Sequence, residues 1–188
     1  GDNTTTGVYL QDVISIGPQW TVLLGGRYER YDSEQRTATI DAATVSDDST
    51  VLPRAGLVYQ PQPWVSLYVS YSESFSPNVF TPDSLAPGSP TSFDPERGKS
   101  QEVGTKVELG GIQLTTTFFQ IDKSNVLEVD NMIPNLIDAA EVHGFEFDVA
   151  GEPVAGLSLQ GAYAYQDSDD GSGCLLYTSP SPRDLSTS

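Results

Sequence analysis

Residues 51–80 read VLPRAGLVYQPQPWVSLYVSYSESFSPNVF, two alternating stretches on either side of Pro61-Gln62-Pro63, with aromatic residues at their ends. In the second stretch Val65, Leu67, Val69 and Tyr71 share one parity, while Ser66, Ser70 and Ser72 share the other with Tyr68. Side chains of a strand point alternately to opposite faces, so this is a sheet with one apolar face and one hydroxyl-rich face. The stretches run for about ten residues, the length a tilted strand needs to cross a bilayer. Strands of a soluble sandwich usually end sooner. Lipid is therefore a candidate neighbour for the apolar face.

The same texture recurs along the chain. Eight strand-like segments are expected: Thr6 to Ile16, Trp20 to Asp32, Val51 to Gln60, Trp64 to Phe75, Ser100 to Leu109, Ile112 to about Val129, Ala140 to Gly151 and Leu157 to Gln166. Their connections alternate in length. Gly17-Pro18, Pro61 to Pro63, Gly110-Gly111 and Glu152 to Gly156 are short; Ser33 to Thr50, Ser76 to Gly98 and Asp130 to Asp138 are long and polar. Soluble hairpins are usually short at both ends, whereas outer-membrane barrels pair short periplasmic turns with longer extracellular loops. The aromatics agree. Trp20 and Trp64 follow short turns, and Tyr28, Tyr31, Tyr71, Tyr163 and Tyr165 lie toward the long loops. Aromatic bands at both interfaces are a membrane signature, so Trp20, Trp64, Tyr71, Tyr163 and Tyr165 are the expected lipid-interface residues.

Composition narrows the class. The chain has 188 residues, 37% hydrophobic, with a formal net charge of -17 and a mean hydropathy of -0.27. A polar lumen and long loops dilute the lipid-facing residues of a barrel, so this average does not exclude one. No apolar run is long enough for a membrane helix. The acidic balance argues against nucleic acid as a partner. One Cys and one His leave no disulfide framework, thiolate metal site or Ser-His-Asp triad to assemble. The first residue is Gly1 and the only Met is Met132, so the chain is expected to be a piece of a longer product. The run Cys174 to Asp184 resembles the conceptual translation of a transposase sequencing adapter. Residues 1–173 are accordingly read as native and 174–188 as an artefact outside the fold.

Parity also separates the charges. Arg27 and Glu29 oppose Trp20, Val22, Leu24 and Tyr28; Glu146 and Asp148 oppose Phe145, Phe147 and Val149; Ser158 and Gln160 oppose Leu157, Leu159, Tyr163 and Tyr165. Arg27, Glu29, Arg54, Glu102, Lys106, Glu108, Glu146 and Asp148 are thus expected on a lumen face, with cross-strand ion pairs among their mixed signs. An Arg or Lys turned to lipid would cost about 2–4 kcal/mol near the midplane.

Several stretches carry a family resemblance. Pro53-Arg54-Ala55-Gly56-Leu57-Val58-Tyr59-Gln60-Pro61, Leu67 to Phe75 (LYVSYSESF), Pro95-Glu96 with Ser100 to Lys106 (SQEVGTK), Phe118 to Val126 (FFQIDKSNV) and His143-Gly144-Phe145-Glu146 follow one another in order and spacing. Together they resemble the barrel of TonB-dependent siderophore receptors, over nearly all of residues 7–167. The resemblance implies a transmembrane antiparallel β-barrel of about 22 strands with a plugged lumen, in the bacterial outer membrane. This chain would supply about eight of those strands, without the plug. It implies uptake of a ferric siderophore as cargo, energised by the TonB complex through an N-terminal region absent here, with no resident cofactor and no enzyme activity. A passive pore or surface adhesin on a similar barrel is the alternative.

Candidate chemistry is sparse. Glu146 and Asp148 form a carboxylate pair of the kind glycosidases use, yet lumen charge is the simpler reading. Asp167-Ser168-Asp169-Asp170-Gly171 hints at calcium, but Gly171 stands where an oxygen ligand belongs, so a solvated loop is expected. No catalytic or metal-ligating residue is assigned. Phe80 and Phe93, in the loop Ser76 to Gly98, are the candidates for ligand contact at an outer vestibule.

Overall fold

The computed structural model describes residues 2–37, 42–78, 93–130, 133–137 and 139–169. Ten strands are present among them and no helix: β1 (Asp2–Ile16), β2 (Trp20–Thr37), β3 (Ala42–Gln62), β4 (Val65–Ser76), β5 (Glu96–Leu109), β6 (Ile112–Ser124), β7 (Val126–Asp130), β8 (Ile133–Ile137), β9 (Ala140–Val154) and β10 (Leu157–Asp169). Eight form one sheet in the order β1-β2-β3-β4-β5-β6-β9-β10, and β7 and β8 form a separate hairpin. Every pairing is antiparallel between chain neighbours, apart from the step across that hairpin. This is an all-β meander, as the alternation and the turns require.

The short turns follow from local chemistry. Gly110 and Gly111 have φ of 59° and 78°, and they join Leu109 directly to its partner Ile112. Two consecutive positive φ values make the hairpin turn whose twist suits a right-twisted ribbon, and glycine adopts them without steric cost. At the other proline-rich turn the boundary differs from the expectation. β3 runs to Gln62, which pairs with Val65, so the turn is Pro63-Trp64 and Trp64 precedes its strand. The ladder is irregular between Tyr59 and Gln62, because Pro61 has no N–H to donate.

The long connections hold the larger corrections. The polar stretch Ser33 to Thr50 is mostly strand: β2 and β3 continue in register from Asp32↔Asp47 out to Thr37↔Ala42. Alternation of polarity is lost there, yet the backbone ladder continues. The expected strand Ile112 to Val129 breaks at Asn125, whose φ is 56°. Asn is among the few side chains that tolerate that region. The expected loop Asp130 to Asp138 contains β8, and β10 extends through Asp169, so Asp167 and Asp169 are strand residues paired with His143 and Glu141.

Asn125 also ties two loops together. Its Nδ2 donates to the Pro95 carbonyl at 3.1 Å, and its own carbonyl accepts from Asn78 Nδ2 at 3.0 Å. Asn78 Nδ2 donates as well to the Asp94 carbonyl at 2.6 Å. Both feet of the connection after β4 are thereby fastened to the β6–β7 corner.

One face of the sheet accommodates large side chains opposite glycines. Gly25 faces Arg54, Gly98 faces Ser74, Gly104 faces Tyr68 and Gly144 faces Phe119. A Cβ on Gly104 would lie 2.5 Å from the Thr116 carbonyl oxygen and 2.5 Å from the Tyr68 hydroxyl. Tyr68 crosses that glycine to share a 2.6 Å hydrogen bond with Thr117 on β6. Covering a sheet glycine with a neighbouring aromatic is a device for curving a sheet while pinning its register.

Gly104→Val in the full-length protein is expected to displace Tyr68 and destabilise the sheet by about 1–3 kcal/mol. Tyr68→Phe should cost about 1 kcal/mol. The temperature at which the folded electrophoretic form is lost measures both. Asn125→Gly keeps the backbone and loses one hydrogen bond, whereas Asn125→Val also strains the left-handed φ. Protease cleavage of the folded protein at the two feet, 76–78 and 93–95, should therefore quicken in the order wild type, Gly, Val.

Candidate functional site: two faces and a loop end

Paired residues of an antiparallel sheet lie on the same face, so the register sorts every side chain of the eight strands. On one face a row runs Val69, Val103, Phe118, Phe145, Tyr165 across β4, β5, β6, β9 and β10. Toward the short turns it is followed by Leu67, Thr105, Thr116, Phe147, Tyr163 and then Val65, Val107, Leu114, Val149, Gly161. Phe118 is 56% and Val103 54% exposed, so nothing among the described residues covers this band. Phe145 lies 6.0 Å from Phe118, 5.7 Å from Tyr163 and 6.0 Å from Tyr165 by ring centroid. At the short-turn end Trp20 stacks on Tyr59 at 4.2 Å. From Trp20 to Tyr28 the apolar parity of β2 spans roughly 26 Å along the strand, a bilayer-crossing length when tilted.

The band stops abruptly at the long-loop end. The next row reads Tyr71, Gln101, Gln120, His143, Asp167, and the one beyond it Glu73, Lys99, Asp122, Glu141, Asp169. Tyr71 donates its hydroxyl to Glu73 at 2.5 Å. Arg30, past Tyr28 on β2, bridges Asp32 at 3.1 Å and Asp47 at 2.8 Å. The hydrogen bond and charge of Asp32, with the charge of Asp47, hold its guanidinium pKa above the ordinary value. Lys123 pairs with Glu96 at 2.8 Å.

Arg27, Glu29, Arg54, Glu102, Lys106, Glu108, Glu146 and Asp148 all fall on the opposite face. Its rows are polar or small apart from Phe119, which lies over Gly144: Ser70, Glu102, Phe119, Gly144, Gln166; and Tyr68, Gly104, Thr117, Glu146, Ala164. The buried side chains among the described residues are Tyr31 at 6%, Ser33 at 4%, Thr50 at 7% and Leu52 at 9% exposure, and all share this parity. Side chains crowd together on the concave side of a curved sheet, which makes this the candidate inner face.

Inner charges pair differently from the expectation. Arg27 meets Glu29 at 3.0 Å and Lys106 meets Glu108 at 3.2 Å, both two residues along one strand. Cross-strand partners are missing because Tyr9 and Leu52 stand opposite Arg27, and Ser66 and Thr115 opposite Lys106. Glu102 accepts a long 3.5 Å contact from Ser70. Glu146 faces Thr117 and Ala164, and Asp148 faces Thr115 and Ala162.

Tyr9, Gln11, Arg27, Leu52, Arg54 and Ser72 together line a recess of about 370 Å³ on this face. Ser72 of β4 was readable as alternation, but only the register brings it, with Tyr9 and Gln11 of β1, beside the two arginines. Phe93 lies half-buried at the foot of the connection into β5; Phe80 lies outside the described residues, as do 170–188. His143 Nδ1 sits 3.7 Å from Glu141 on the opposite, apolar-parity face. Among the described residues no three His, Cys, Asp or Glu side chains converge as metal ligands, and no helix is long and apolar enough to cross a membrane.

Residues 1–185 match the TonB dependent receptor-like, beta-barrel family. The metal-pseudopaline receptor CntO of Pseudomonas aeruginosa is 34% identical over 171 residues, covering 85% of this chain and 23% of that protein. The ferrioxamine B receptor of Salmonella typhimurium is 31% identical over 166 residues, 86% of this chain and 23% of its own length. In structure, the siderophore receptor PiuA from Acinetobacter baumannii superposes with a TM-score of 0.74 at 28% identity, over 88% of this chain and 25% of that one. The chain thus spans about a quarter of the length of the relatives it matches. With two segregated faces, short turns at one end and this match along its length, the chain belongs to the TonB-dependent receptors and forms part of their outer-membrane β-barrel.

Proposed function

We propose that the protein of which this chain is a part imports a ferric siderophore across the outer membrane, driven through TonB. The observation that carries the reading is the register. One sheet face is a continuous apolar and aromatic band, and the other is polar, charged and glycine-spaced. A barrel wall between lipid and a wet or plugged lumen needs this division. The names of the relatives, receptors for metal-pseudopaline and ferrioxamine B, support a metal chelate as the cargo.

In this reading Trp20, Trp64 and Tyr59 mark the periplasmic interface, and Tyr28, Tyr71, Tyr163 and Tyr165 the outer one. Arg27, Glu29, Arg54, Glu102, Lys106, Glu146 and Asp148 line the lumen. β1 pairs only with β2 and β10 only with β9 among the described strands. Unpaired strand edges are not tolerated in hydrocarbon, so further strands close the ring. The loop ends fastened by Asn78 and Asn125 carry Phe93 at the same end of the sheet, where we assign the outer vestibule. The iron stays in its chelate throughout, so the wall contributes shape, charge and exclusion of lipid rather than bond chemistry.

Two measurements test this. Val69→Arg, on the band, is expected to cost about 2–4 kcal/mol and to reduce the folded receptor recovered from outer membranes, while Ser70→Arg, one residue on, is tolerated. Equal damage from both would refute the face assignment. Uptake of radiolabelled ferric chelates in a receptor-deficient strain should appear with the full receptor and vanish when TonB is deleted. Uptake that persists without TonB would identify a passive pore instead.

A further inference from the structure

The inner recess is lined by two arginines and one acid, Glu73, and a second acid, Glu29, lies beside Arg27. Arg27 Nε lies 3.0 Å from Glu29 Oε2, and its Nη2 extends over Gly7, 2.9 Å from where a Cβ would be. Arg54 lies over Gly25, its Cγ 3.2 Å from the corresponding position, and it has no hydrogen bond or ion pair among the described residues. The register pairs Arg27 with Leu52 and Arg54 with Gly25. The two arginines are therefore diagonal neighbours on one face, with backbones about 7–8 Å apart. The Arg27 head is turned to Glu29 over Gly7, and a change of its rotamer would bring it to an anion held by Arg54.

The rest of the lining donates as well. Tyr9 and Ser72 offer hydroxyls and Gln11 an amide, around the side chain of Leu52. Glu73 reaches the rim from the other face of the sheet, where it accepts the Tyr71 hydroxyl at 2.5 Å. Gly25 lets the Arg54 stem lie flat and Gly7 leaves room for the Arg27 guanidinium, so the recess stays open rather than filled. Glu29 engages Arg27 and Glu73 is held by the Tyr71 hydroxyl on the other face, so Arg54 is the guanidinium left without a partner, and a single carboxylate would match its charge. A planar two-oxygen anion is also what guanidinium forks bind in bidentate fashion.

We propose that Arg54 and Arg27 form a carboxylate-binding site on the inner barrel wall. The inference rests on the reading of this face as the lumen. The carboxylate has two sources, an acidic side chain of the same protein lodged in the barrel or a free carboxylate of the metal chelate passing through it. In either case Arg54 supplies the uncompensated charge and Arg27, turned from Glu29, the second fork.

The test uses the full-length receptor in detergent, with Arg54→Met, which keeps the stem over Gly25 and removes the charge, and Arg54→Lys, which keeps the charge. The probes are ferric citrate, a carboxylate chelate, and ferrichrome, a hydroxamate chelate. If the carboxylate belongs to the protein, Arg54→Met lowers the unfolding midpoint without chelate by a few degrees. Arg54→Lys falls between it and wild type, and the gap narrows as salt rises. If it belongs to the chelate, the midpoint without chelate is unchanged and ferric citrate affinity drops about tenfold or more, with ferrichrome affinity unaffected. Arg54→Met behaving as wild type in both assays would overturn the proposal. So would Arg54→Lys falling as far as Arg54→Met without salt dependence, which would mark Arg54 as packing over Gly25. TonB-dependent uptake by the wild-type receptor reports separately on the import reading.

Discussion

In hydrocarbon no water is available to a peptide group, so each backbone N–H and C=O must find a partner within the protein. Antiparallel pairing between successive strands meets that demand, and it makes register the quantity on which everything else depends. A slip of one residue would exchange the two faces completely, sending Arg27, Arg54 and Lys106 to lipid and Val69, Phe118 and Phe145 to the lumen. The penalty of about 2–4 kcal/mol for each basic residue near the midplane would then accumulate over several strands. Register in this sheet is therefore specified many times over. The Gly110-Gly111 turn pins β5 against β6, and Tyr68, reaching over Gly104 to Thr117, pins three strands at once.

Where lipid enforces alternation, the sequence was legible. Residues 51–80 and the strands about Phe118, Phe145 and Tyr163 announce their faces, and the register places them as their parity requires. Above the outer aromatics that pressure lifts. Between Ser33 and Thr50 both faces are polar, so nothing in the pattern distinguishes a projecting ribbon from a loop, although the ladder continues to Thr37↔Ala42. The break at Asn125 was hidden for the opposite reason: apolar residues resume at once with Val126 and Leu127. What ends β6 there is a single left-handed residue and the amide contacts it makes with the preceding loop.

The candidate site was legible only in part. Parity alone put Arg27, Glu29, Arg54, Glu102, Lys106, Glu146 and Asp148 on one face, because each has an apolar or aromatic residue beside it in its own strand. Which of them meet was not legible, since that depends on how far each strand is staggered against the next. Mixed signs invited cross-strand pairs, yet Arg27 and Lys106 each turn to an acid two residues along. The strand offset sets Tyr9 and Leu52 opposite Arg27, and neither carries a charge.

Glycine placement connects these levels. On the convex face large side chains splay apart and can repeat at every position, as the rows of Val, Leu, Phe and Tyr do. On the concave face they converge, and a large residue is accommodated by leaving its partner without a Cβ. Arg54 over Gly25, Tyr68 over Gly104 and Phe119 over Gly144 are three cases of one solution. For Tyr68 the consequence is a buttress between strands. For Arg54 it is a guanidinium laid along the wall with its charge still available. The same curvature that closes the sheet around a lumen thus also decides which inner charges remain for whatever occupies it.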